Sequence, residues 1–74
     1  METKTFPDGT IELVMSGKAC PPDFTGQAGN RSSVWFRVNG GEWESAGGRC
    51  LHNYAQCLEC ADSVDEFRKY LEIV

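Results

Sequence analysis

Four cysteines and a single histidine are the residues of this 74-residue chain best suited to chemistry. Cys50, Cys57 and Cys60 fall in a Cys-x6-Cys-x2-Cys run that also contains His52, while Cys20 stands far upstream, ahead of Pro21-Pro22. Four thiolates can hold zinc tetrahedrally. Structural zinc sites usually show two tight pairs, however, and only Cys57-Leu58-Glu59-Cys60 is such a pair here. A redox role for that pair asks for a helix N-terminus, where the dipole lowers the thiol pKa. The helical pattern instead puts Cys57 about two turns inside a helix, where a Cys57–Cys60 disulfide would strain regular geometry. The leading expectation is that these are buried free thiols, packed as small apolar residues against a sheet. A zinc site of Cys20, Cys50, Cys57 and Cys60 (with His52 able to replace one of them) is the metal alternative. A disulfide from Cys20 to Cys50 or to Cys57 is the covalent one.

The remaining polar groups form no catalytic constellation. His52 lies on the opposite side of its helix from Cys50 and Cys57, with no carboxylate at a spacing that would make it a base. The eleven carboxylates are scattered singly. Gly47-Gly48-Arg49 leads into a helix N-terminus, but reads more simply as a flexible link. The sequence reading is of a non-enzyme.

Residues 47–74 must position the thiols, and they carry the only strong helical period. Cys50, Leu51, Tyr54, Cys57, Leu58 and Ala61 share one face. After a break at Ala61-Asp62-Ser63, Ser63 and Glu66 match a capping box, and Val64, Phe67, Leu71 and Val74 form a second apolar stripe. Asp65–Lys69 and Arg68–Glu72 are spaced as ion pairs on its wet side.

Upstream of the helices the period is two. Thr3–Phe6 and Thr10–Ser16 read as strands joined by a three-residue loop, Pro7-Asp8-Gly9, which sets Lys4 opposite Glu12. Residues 17–32 read as a long loop pinned to the core by Phe24. Val34–Val38 and Gly41–Ser45 form a hairpin on Asn39-Gly40, the type I′ signal, pairing Arg37 with Glu42 and Phe36 with Trp43. A loop one residue longer would set Phe36 against Glu44, a poorer pair. The expected fold is a single α+β domain of residues 1–74, ββ-loop-ββ-αα, with an antiparallel sheet of about four strands and one or two C-terminal helices on one face.

In that register Val34, Phe36, Val38 and Trp43 face the helices, and Trp35, Arg37, Glu42 and Glu44 face away. An aromatic anchor in a charged ring has the composition of a protein-binding hot spot. The competing reading is that the long loop, through Phe24 or Pro21-Pro22, folds back over Trp35. The net charge of −4 argues against direct nucleic-acid binding, which needs cations for phosphates. It favours a basic or nucleic-acid-binding protein as partner. No apolar run is long enough to cross a membrane and no signal peptide is evident, so a cytoplasmic location is expected. The function expected is protein binding by a small acidic monomer or homodimer. A phage- or mobile-element-encoded inhibitor of host or defence machinery, anti-CRISPR-like and acting in the host cytoplasm, fits that size and charge by analogy alone.

Overall fold

Strand formers separated by turn residues run through residue 47, and a 3.6-residue period follows. A computed structural model describes residues 1–16, 20–24 and 34–73. Strands β1 (Glu2–Phe6), β2 (Gly9–Met15), β3 (Val34–Val38) and β4 (Glu44–Gly47) form one antiparallel sheet in chain order. Helices α1 (Leu51–Cys60) and α2 (Val64–Ile73) follow. This is the expected α+β arrangement. Much of the 17–32 loop and Val74 lie outside the described residues.

The core lies between the sheet's inner face and the helices. Phe6, Ile11, Leu13, Val34 and Phe36 meet Tyr54, Leu58, Ala61, Val64 and Phe67. At its centre the Phe36 and Phe67 rings meet edge to face, 5.4 Å between centroids, a favoured aromatic geometry.

The first hairpin differs from expectation by one residue. Gly9 belongs to β2 and pairs with Phe6, leaving Pro7-Asp8 as the loop, so Lys4 faces Ile11 rather than Glu12. A one-residue slip moves every side chain to the other face, and here it carries Lys4 to the helix side. Its Nζ donates to the carbonyls of Leu58, Glu59 and Ala61 at 3.1, 2.8 and 2.9 Å. The end of α1 has no basic residue of its own, so Lys4 supplies the cation that free helix carbonyls favour. Lys4→Met is expected to cost about 1.5–3 kcal/mol, the range for hydrogen bonds to a charged group, read as a lower urea midpoint at unchanged slope.

Asp8 also reaches the helices. Its Oδ1 accepts the Val64 N–H at 2.9 Å, while Ser63 Oγ accepts the Glu66 N–H at 3.0 Å. Glu66 completes the cap by accepting the Asp62 N–H at 3.1 Å, one residue before the position a standard capping box uses. Ser63→Ala is expected to lower stability by about 1 kcal/mol, measured by thermal melting; an unchanged Tm would refute the cap. Arg68 does not follow the expected pattern along its own helix. It forms a two-pronged pair with Glu44 at 2.8 and 3.0 Å, and its cation holds the Glu44 carboxyl below the usual carboxylate range.

The second hairpin keeps the expected turn and changes the expected pairing. Asn39 and Gly40 have φ of 54° and 69°, and the Gly41 N–H closes the turn on Val38 O at 2.9 Å, as type I′ requires. Residues 41–43 then leave the ladder. Phe36 pairs with Glu44 and Trp35 with Ser45, and a further irregularity sets Val34 opposite Gly47. The longer register that pairing preferences disfavoured is therefore the one adopted. It takes Trp43 away from the helices and brings Glu44 toward α2.

Candidate protein-binding face

On the sheet's outer face the β2–β3 register sets Glu12 opposite Arg37 and Val14 opposite Trp35. Val14 and Trp35 are buried, with Trp35 only 8% exposed. The cover over Trp35 includes the 20–24 strap. Cys20 Sγ donates to Met15 O at 3.4 Å where the strap begins. Pro21-Pro22-Asp23-Phe24 then makes a turn closed by the Phe24 N–H on Pro21 O at 3.0 Å, with Pro22 in the position whose φ suits proline. That turn lays Phe24 edge-on against Trp35 at 6.2 Å and against Trp43 at 5.1 Å.

Arg37 holds the cluster together. Its Nε and Nη2 donate to the two Glu12 oxygens at 2.7 and 3.0 Å, and Nη1 donates to Asp23 of the strap. Its guanidinium lies 4.6 Å from the Trp43 ring centroid, in cation–π range. Hydrogen bonds to Glu12 and Asp23 hold Arg37 firmly protonated. The same bond keeps Asp23 below its ordinary pKa. Asp23, Arg37, Gly41, Glu42 and Trp43 line an open groove of about 530 Å³.

No protein-family model, curated protein or solved structure matches this chain.

Of the residues expected to form a binding face, Trp35, Arg37, Glu42 and Phe24 gather at or beside this groove. Glu44 is paired with Arg68 on the helix side instead. Phe24 is not a pin to the core, because it packs on the opposite face of the sheet. Trp35 is not an open anchor: the fold-back reading of the loop describes it. The half-exposed aromatics of the face are Phe24 and Trp43. Trp43, Asp23 and Glu12 were missing from the expected set. The signal for Asp23 was the Pro-Asp turn. For Trp43 it was Gly41, which has no side chain to hold a ladder position.

The thiols are arranged differently from the leading expectation. All four are free; Cys20 and Cys57 are half-buried, and Cys50 and Cys60 are exposed. The helix starts at Leu51, which leaves Cys50 as its cap without a side-chain hydrogen bond. Tyr54 and Leu58 take the buried positions of α1. Tyr54 Oη accepts the Arg49 N–H at 3.1 Å, fixing the helix's rotation about its axis. Among the described residues no group of three or more His, Cys, Asp or Glu side chains is placed to hold a metal ion. His52 is exposed on α1. Among those residues no helix is long and apolar enough to cross a membrane.

Proposed function

We propose that this chain is a non-enzymatic protein-binding module whose contact surface is the Phe24–Trp43 face and its groove. One observation carries the reading: the indole N–H groups of Trp35 and Trp43 are both buried with no acceptor among the described residues. An unpartnered buried donor costs about 1–3 kcal/mol, a cost that asks for a reason outside the isolated fold. Half-exposed Trp43 and Phe24 and a fixed guanidinium, backed by the buried Trp35, form a stiff aromatic platform of the kind that dominates binding energy. The carboxylates of Asp23 and Glu42 edge its groove. With the net charge of −4, they favour a partner that presents a basic segment. An inhibitor of host or defence machinery is one role that such a module suits.

The test is affinity capture with three baits: the wild type, Trp43→Ala, and a charge-reversed Asp23→Lys/Glu42→Lys variant, each checked by circular dichroism. Partners held by the wild type should be lost from both folded variants. Equal retention by the variants, or nothing held by the wild type above an unrelated acidic bait, would overturn the assignment.

A further inference from the structure

A second groove, of about 540 Å³, runs along the helical hairpin and is lined by Arg49, Asn53, Gln56, Cys57, Cys60, Tyr70 and Ile73. Cys57 and Cys60 are three residues apart on α1, hence neighbours on one helical face, about 4.5 Å apart along the axis. Both are free, one half-buried and one at the surface. Cys57 packs against the margin of the core, whose buried contacts from α1 are Tyr54, Leu58 and the following Ala61, while Cys60 is at the surface and the proposed binding face is on the far side of the sheet.

The donor set decides what such a pair can hold. Zinc needs four ligands, usually all from protein in a structural site, and the described residues assemble no group of three. Monovalent copper is satisfied by two sulfurs and is selected by soft thiolates. We propose that Cys57 and Cys60 form a two-sulfur site for Cu(I), with Arg49 of the same groove supplying the compensating charge. The balance is simple: each thiol gives up its proton, two S–Cu bonds form, and two protons leave to solvent. One monovalent ion on two thiolates carries a net charge of −1, which the Arg49 cation offsets. Copper stays in the monovalent state throughout, so no electron donor is consumed. Partial burial, and after it the neighbouring Cys60 thiol, raise the Cys57 pKa.

The test is anaerobic titration of the full chain with Cu(I) against the chromophoric competitor bicinchoninate, with ascorbate present. The wild type should withdraw one Cu(I) per chain. Cys60→Ser and Cys57→Ser should each abolish that uptake, while Cys20→Ser and Cys50→Ser keep it. Cys60 is exposed, so its replacement leaves the fold intact and the test does not depend on the half-buried Cys57. Arg49→Ala should weaken binding about 10-fold, the lower end for a group beside the ligands. A wild type that takes no copper, a folded Cys60→Ser protein that still takes one, or a loss on replacing Cys20 or Cys50 would each overturn the proposal.

Discussion

Replacing Phe67 with alanine is expected to unfold the chain. Phe67 is fully buried at the centre of the inner layer, with its ring against Phe36 of the sheet. It is the main aromatic contact of α2 with the strands. Removing a buried phenylalanine costs about 3–5 kcal/mol, while a chain this short has only about 3–5 kcal/mol of net stability from its core. The loss therefore matches the whole margin. Far-UV circular dichroism at 25 °C should show the loss directly, and a cooperative urea transition near the wild-type midpoint would refute it. Ile73→Ala is the control at the other end of the same helix. Ile73 is 80% exposed, and its truncation should change stability by no more than about 0.5 kcal/mol.

Gly47→Ala should be the next most damaging change, for two separable reasons. Gly47 has φ of 142°, a backbone region that side chains other than hydrogen rarely adopt. A Cβ added there would also run directly into the Tyr54 hydroxyl and lie 3.2 Å from Cζ of the same ring. Tyr54 cannot swing aside, because its ring is buried in the core and its oxygen accepts the Arg49 N–H. Strain and overpacking each cost about 1–3 kcal/mol, so a total of about 2 kcal/mol or more is expected in urea unfolding. Making the change in a Tyr54→Phe background separates the causes. Without the hydroxyl the glycine substitution should cost about 1 kcal/mol less, and the residue left over measures the backbone term. Equal costs in the two backgrounds would mean that the hydroxyl contact plays no part.

Elements were legible in the sequence where their signals are local, and registers were not. Asn39-Gly40 specified a type I′ turn because its left-handed geometry restricts residue choice. Ser63 with Glu66 marked the start of α2 because capping is settled within one turn. The pairing beyond each turn was decided elsewhere. Phe36 and Trp43 are both large and apolar, so alternation alone gave no reason to put them on opposite faces. Phe67 on one side and Phe24 on the other provide the reason, and both are remote in sequence. The first hairpin shortened its loop because Asp8 has a partner in Val64, which no pattern near residue 8 could show. The thiols were misplaced by a related effect: Cys50 shares a helical face with Tyr54, but the helix begins one residue after it. The binding face was half-legible. Its residue types were visible, but whether Trp35 was open depended on the strap that Pro21 to Phe24 lay across it.

Lys4 and Asp8 reach carbonyls and an amide whose residues follow them by more than fifty positions. For a chain emerging from a ribosome, this sets an order of events. The β1–β2 hairpin can close early, since its own bonds are local. Its inner face, with Phe6, Ile11 and Leu13, has no helical cover until Tyr54, Leu58, Ala61, Val64 and Phe67 are clear of the exit tunnel. At about 5–20 residues per second, that wait lasts seconds, during which an apolar strand surface is open to chaperones and to neighbouring nascent chains. Docking of the helical hairpin then satisfies the ammonium and carboxylate clasps together, and the exposed interval ends in one late step.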